Sequence, residues 1–143
     1  MIFLDANVFL RALVRPDDPK SERMSQASAE LFRRAALGEI TVTTSDAVLA
    51  EVAFILTTKT HAGLPVPVAA GLLATIIGGR GFRIGDKRAI LSALDLWTAR
   101  PRLGFVDALT AIYAQSPEIR LATFDSDFDG LPGIDRWHPG ESD

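Results

Sequence analysis

The sequence predicts one α/β domain in which parallel strands alternate with helices. Short apolar segments typical of strands recur along the chain, and longer segments with helical periodicity separate them. This alternation indicates a parallel sheet that is covered by helices on both faces. The 143 residues, 48% of them hydrophobic, are enough for one domain with its own core. We therefore expect a single domain over residues 1–143.

The first half of the chain opens with an apolar run that ends at an acid. Ile2, Phe3 and Leu4 precede Asp5, which is typical of a buried strand that ends at a surface. The predicted elements that follow begin or end at recognisable residues: Gly38 is a plausible C-cap, and Ser45 or Thr44 an N-cap. In order, these elements are strand 2–5, helix 7–14, helix 21–37, strand 40–44 and helix 46–58.

The second half contains three helices before its last strands. Gly78 and Gly79 end an apolar helix, which either packs in the core or forms a surface for a partner. We expect the tail 140–143 to be mobile. In order, the predicted elements are helix 66–77, a brief strand 82–84, helix 86–99, helix 105–115, strand 121–124 and an edge strand 134–137.

Composition excludes several classes of function. The chain has no cysteine, so it has no disulfides, thiolate zinc sites or cysteine nucleophile. No apolar run reaches the roughly 18–20 residues needed to span a bilayer, and no secretory signal precedes the first apolar residues. We therefore expect a cytoplasmic protein that does not enter a membrane.

Net charge does not decide whether the partner is a nucleic acid. The formal charge of −3 argues against such a partner at first. If five acids belong to a metal site, the remainder of the chain carries +2. These five are Asp5, Glu51, Asp107, Asp125 and Asp127.

Four of these acids stand in unusually apolar surroundings. Glu51 is the only charged residue of segment 47–56, and Asp107 lies in the apolar segment 105–114. A helix that is apolar on every face is buried, so we expect Glu51 to be buried or to open onto a cleft. Asp5 and Asp125 follow predicted strands, where ligands of parallel sheets bind.

Each acid also has a local explanation. Asp5 could cap the following helix, Asp125 could form an Asx-turn, and Asp107 could stabilise the first turn of its helix. The four together are better explained by a shared divalent cation. Mg²⁺ and Mn²⁺ prefer oxygen ligands, and a carboxylate cluster holding such ions is typical of metal-assisted phosphodiester hydrolysis.

Four ordered segments resemble the signature segments of PIN-domain ribonucleases, and most closely those of VapC-type toxins. The segments are 5–10 (Asp-Ala-Asn-Val-Phe-Leu), 48–52 (Val-Leu-Ala-Glu-Val), 105–109 (Phe-Val-Asp-Ala-Leu) and 123–128 (Thr-Phe-Asp-Ser-Asp-Phe). The resemblance implies a three-layer α/β/α sandwich with a central parallel sheet. It also implies cleavage of RNA with Mg²⁺ or Mn²⁺, a cognate antitoxin whose tail crosses the active site, and a homodimer.

The same resemblance assigns roles to individual residues. The catalytic, metal-binding acids would be Asp5, Glu51, Asp107 and Asp125, with Asn7 and Asp127 in support. For contact with RNA, a separate basic cluster is a candidate, although a solvated surface explains it equally well. That cluster is Arg80, Arg83, Lys87 and Arg88.

Three other functions are compatible with the sequence. The first is a housekeeping PIN-domain nuclease for RNA processing, with no antitoxin. The second is a metal-dependent phosphatase or phosphotransfer domain, which would need a second aspartate where Asn7 stands or a phosphate-pairing lysine. The third is a non-catalytic interaction module in which the acids serve only stability.

Overall fold

Helices form most of the chain in the computed structural model, which describes residues 1–140. The α-helices are α1 (Ala6–Leu13), α2 (Pro19–Leu37), α3 (Asp46–Thr57), α4 (Val66–Gly78), α5 (Lys87–Ala99) and α6 (Phe105–Ala114). The strands are β1 (Ile2–Phe3), β2 (Val42–Thr43), β3 (Leu121–Ala122) and β4 (Arg136–Trp137). Every predicted helix is present, with ends that differ by at most two residues from those expected.

All strand pairing in the described residues is parallel. Strand β1 pairs with β2, with Ile2 opposite Val42, and β3 pairs with β4, with Leu121 opposite Arg136. Phe82 adds a parallel bridge to Val42, which is all that forms of the strand expected at 82–84. Parallel neighbours need long crossovers. Helices α1 and α2 lie in the crossover from β1 to β2, whereas the one from β3 to β4 is a loop with a short 3₁₀ turn at Ser126–Phe128. The predicted α/β class is therefore confirmed.

The prediction of a buried first strand is wrong. Ile2 and Phe3 are 45% and 61% exposed, and the ladder ends at Phe3 rather than at Asp5. Leu4 is the residue that enters the core, and its amide donates a hydrogen bond to the Thr43 carbonyl at 2.8 Å. The ladder is only two residues long, so the apolar run contributes one core side chain and two surface ones.

Polar caps fix where three of the helices start. The side chains of Asp18, Ser45 and Asp86 accept hydrogen bonds from the backbone N–H groups of Ser21, Val48 and Ala89, at 2.7, 3.3 and 3.0 Å. Each bond satisfies a donor that the first helical turn leaves unpaired. At the other end of α2, Gly38 has the left-handed conformation (φ 79°), which confirms it as a C-cap.

The core lies between α3, α4, α5 and α6, with Phe9 of α1 packed against Phe82. Helix α4 buries Ala69, Leu73 and Ile77 there, so core packing accounts for most of its apolar sequence. Among residues 1–140, no helix is both long and apolar enough to cross a membrane. Of the tail 140–143 that was expected to be mobile, residues 141–143 lie outside the described residues.

Candidate metal centre

Asp107 occupies the first turn of α6 and has no partner of its own. The helix begins after Gly104, whose backbone (φ 79°, ψ 156°) supplies no side-chain cap. The Asp107 carboxylate is half-buried, and within residues 1–140 it makes no hydrogen bond or ion pair. Burial raises the pKa of this carboxyl, and the negative charges of Asp125 and Asp127 raise it further. Asp107 is thus the acid whose charge two other carboxylates, those of Asp125 and Asp127, disfavour.

Asp125 and Asp127 approach from the loop after β3. A short 3₁₀ turn spans Ser126–Phe128, and the buried Phe128 ring anchors it to the core. The Asp125 carboxylate accepts a hydrogen bond from the Asp127 N–H at 2.8 Å, which is the expected Asx-turn. That bond uses one lone pair of a group that has about four. Both carboxylates are exposed, so they retain capacity for a cation.

Asp5 is the N-cap of α1. One of its carboxylate oxygens accepts a hydrogen bond from the Ala6 N–H at 2.6 Å, so the local explanation considered for this acid is present in the structure. Its side chain is exposed. Asp5 is not among the charges that raise the Asp107 pKa. A role for Asp5 beside Asp107 therefore remains a prediction.

Glu51 is exposed, so of the two alternatives expected for it, burial is wrong, and an opening onto a cleft stays a prediction. Helix α3 places Ala47, Glu51 and Phe54 on one outer face, while Leu49 and Val52 point into the core. Phe54 is 63% exposed, so the apolar sequence of α3 does not mean that every face is covered. The Glu51 carboxylate has no hydrogen bond or ion pair within the described residues.

The five acids do not form a finished metal site in this structure. Within residues 1–140, no three His, Asp or Glu side chains are arranged to hold a metal ion directly. What the fold brings together is Asp107 with Asp125 and Asp127. The donor set nevertheless fits a hard divalent cation, because it consists of carboxylate oxygens, none of which makes an ion pair within residues 1–140.

A groove of about 420 Å³ leads to Asp107 between α3 and α6. Phe54, Val106 and Arg102 also line it, and Arg102 lines a neighbouring cavity together with Asp127. Arg102 is exposed and makes no ion pair among residues 1–140. From the sequence alone, Arg102 is one of several arginines that could contact RNA phosphates. The structure places it in the same groove as Asp107.

Three of the four residues of the predicted basic cluster, all except Arg88, line a different cavity. Arg80, Arg83 and Lys87 line a space of about 490 Å³ that includes none of the predicted acids. The Lys87 ammonium donates to the carbonyls of Gly79 and Phe82, at 3.0 and 3.1 Å, so it already serves the turn after α4. Contact between this cluster and RNA stays a prediction.

The fold is that of an α/β protein with parallel strands. Its acidic centre is formed by Asp107 and the two aspartates of the loop after β3. The sequence model of the PIN domain matches residues 2–134, and the chain belongs to the PIN-domain family. The PIN domain is a nuclease fold, its members are typically nucleases, and they generally use divalent metal ions. A search of curated proteins finds no match to the chain.

Proposed function

We propose that this protein is a metal-dependent endoribonuclease and the toxin of a type II toxin–antitoxin pair. One observation carries the proposal: Asp107 shares its site with Asp125 and Asp127, and no cation among the described residues neutralises them. A half-buried carboxylate whose charge two further carboxylates disfavour is explained by a ligand that needs all three. PIN domains generally use divalent metal ions, and we infer that this ligand is Mg²⁺ or Mn²⁺.

Each acid has a distinct part in this proposal. Asp107 binds the ion from the half-buried side, and Asp125 binds it from the exposed loop. By resemblance, Asp5 and Glu51 complete the ligand set, while Asn7 and Asp127 orient it. The bound ion would supply an acidic water and offset the charge of the phosphodiester. Arg102, in the same groove as Asp107, gives the RNA backbone a cation to pair with.

An antitoxin is the partner that the exposed apolar residues support. Phe54 and Val106 are 63% and 58% exposed and line the groove that contains Asp107. Exposed apolar residues next to a site favour a protein partner over bulk water. The resemblance to VapC-type toxins adds an antitoxin tail over this site, a homodimer and a cytoplasmic location to the proposal.

Inducing the protein alone in a bacterium tests the activity and the biological role together. We expect growth arrest, new RNA ends within minutes, and rescue by a small gene adjacent to the toxin gene. Asp5→Asn and Glu51→Gln are the informative variants. Asparagine caps a helix as well as aspartate does, and Glu51 has no bonded partner in the described residues, so both variants keep the fold.

Asp95→Asn is the matched control, because Asp95 is another exposed acid without a bonded partner among residues 1–140. Loss of arrest and of RNA cleavage in both variants, with the control at wild-type activity, supports the proposed ligand set. Cleavage of RNA without growth arrest would instead identify a housekeeping nuclease. A purified protein that cleaves no RNA with either metal would contradict the proposal.

A further inference from the structure

A second cavity, of about 310 Å³, runs along α1 between the start of α2 and the end of α3. It begins at Asn7, two residues after Asp5, and includes Arg11, Arg15 and His61. These basic side chains come from α1, from the segment after it and from the loop that follows α3. One acid, Asp17, also lines the cavity, so its two arginines outnumber its carboxylate.

The orientation of Arg11 is set by a chain of hydrogen bonds that passes through the buried Ser21 hydroxyl. Its guanidinium donates to the Ser21 hydroxyl at 2.8 Å, and that hydroxyl donates to the Asp18 carboxylate at 3.0 Å. Ser21 is buried, so the chain fixes the base of the cavity. A guanidinium has five N–H donors, and this bond uses only one of them. Arg11 is therefore held in place with donors left for a ligand.

Arg15 and His61 complete the cavity from its exposed side. Arg15 makes no ion pair within residues 1–140, although Asp17 lies two residues away. The His61 ring rests edge-on against Phe54, with centroids 6.5 Å apart. Phe54 in turn lines the groove that contains Asp107. Through this ring pair the cavity and the groove are neighbours.

Asn7, Arg11 and Arg15 line the cavity in order along α1 and the segment after it, as contacts to successive phosphates of one strand would require. Arg11 is one helical turn beyond Asn7, which places it about 6 Å further along the axis of α1. Arg15 lies four residues after Arg11, just beyond the end of α1. A nucleic-acid strand with one phosphate at the acids would therefore carry its next phosphates past these two arginines.

We propose that this cavity binds backbone phosphates of the RNA that flank the cleaved bond. Arginine suits this task, because its planar donor fork pairs with phosphate oxygens in a bidentate way. Such contacts position the strand and carry no sequence information. The inference rests on the proposed ribonuclease function and adds to it a substrate-binding subsite that lies outside the acidic centre.

Two measurements with single-stranded RNA test the subsite. The first is the salt dependence of binding, measured in an Asp107→Asn background so that no cleavage occurs. The second is steady-state cleavage by the otherwise wild-type protein. Arg15→Gln is the main variant, since Arg15 is exposed and bonds to no described residue. His61→Gln is the second variant. Arg23→Gln is the control, an equal charge change on the exposed face of α2.

We expect Arg15→Gln to weaken RNA binding roughly fivefold and to lower the salt slope by about 0.7, the value for one phosphate of a single strand. KM should rise by a similar factor with kcat unchanged, and Arg23→Gln should match the wild type. Inorganic phosphate should compete only weakly, because one anion replaces only one of several contacts.

Arg15→Gln and His61→Gln variants that both bind and cleave like Arg23→Gln would overturn the subsite while leaving the nuclease proposal intact. A wild-type protein that neither binds nor cleaves RNA would overturn both. A loss of kcat without a change in KM would also count against the subsite, because it would place Arg15 in the chemical step.

Discussion

The starts of α5 and α6 each carry an aspartate, and the two aspartates behave differently. Asp86 is the N-cap of α5, and its carboxylate accepts a hydrogen bond from the Ala89 N–H at 3.0 Å. Asp107 lies three residues beyond the N-cap of α6, and its carboxylate bonds to no described residue. The Asp86 carboxylate has a hydrogen-bond donor in its own helix, whereas the charge of Asp107 is disfavoured by two further carboxylates.

The comparison shows how an acid that serves the fold differs from an acid that is available to a ligand. Position at a helix start does not separate them, since the helix dipole favours both. What separates them is the partner: a backbone donor for Asp86 and like charges for Asp107. Retaining a repulsive cluster costs stability, which favours a role in binding over a role in folding.

The largest effect that this comparison predicts is on cleavage. Asp107→Asn should lower kcat by at least about a hundredfold, because it removes a charged ligand of the proposed ion. Asp86→Asn should stay close to the wild-type rate, since asparagine preserves the cap. Initial rates on one RNA substrate, with melting curves that show all three proteins to be folded at the assay temperature, provide the check. Equal losses in the two variants would remove the distinction between the two acids.

A second prediction concerns the residue that orients α6. Gly104 has φ 79° and ψ 156°, a region that is essentially restricted to glycine. Gly104→Ala should destabilise the fold by about 1–3 kcal/mol through backbone strain alone, since an added Cβ meets nothing within 4 Å. Denaturant unfolding measures this cost. Gly85→Ala, where a Cβ also meets nothing and φ is not positive, is the control and should have little effect.

The smallest effect is on the pH dependence of stability. The pKa of Asp107 is raised in the folded chain from its ordinary value of 3.8, so the folded state binds more protons than the unfolded state just above pH 3.8. Stability therefore falls as pH rises through that window. Asp107→Asn should be more stable than the wild type at neutral pH without divalent ions, and equal to it below pH 3.8.

Asp18 should show the opposite sign. Hydrogen bonds from the backbone and side chain of Ser21 lower its pKa, so its contribution to stability is present above pH 3.8 and is lost as pH falls through the lowered value. Asp18→Asn should therefore be less stable than the wild type at neutral pH. Urea unfolding at several pH values measures the change in stability that each variant causes. If Asp107→Asn and Asp18→Asn changed stability at neutral pH in the same direction, the electrostatic account would be contradicted.

Much of the fold could be predicted from residues that act locally. Gly38, Ser45 and the glycine pair at the end of α4 mark helix ends through capping and backbone rules that need no tertiary information. Strand lengths could not be predicted in this way. Pairing ends where the partner strand ends, so the expected strands 2–5 and 121–124 form ladders of only two residues each.

The candidate site was also predicted only in part, because local sequence patterns do not show which residues meet in space. Asp107 stood out as an acid in an apolar segment, and the structure places it half-buried beside Asp125 and Asp127. Glu51 stood out for the same reason, yet it is exposed, because an apolar stretch does not reveal which face of its helix a neighbour covers. The cavity around Arg11 depends on three segments meeting, which no local pattern indicates.

Calorimetric titration with Mn²⁺ tests the central claim most directly, with Asp107→Asn and Asp86→Asn measured beside the wild type. The wild type and Asp86→Asn should bind the ion with the same affinity, and Asp107→Asn should lose at least about tenfold, the effect of removing one charged ligand. Saturating the wild type at 100 times its Kd should also stabilise it by about 2.7 kcal/mol. Absence of specific Mn²⁺ binding to the wild type, or unchanged binding to Asp107→Asn, would contradict a metal centre at Asp107.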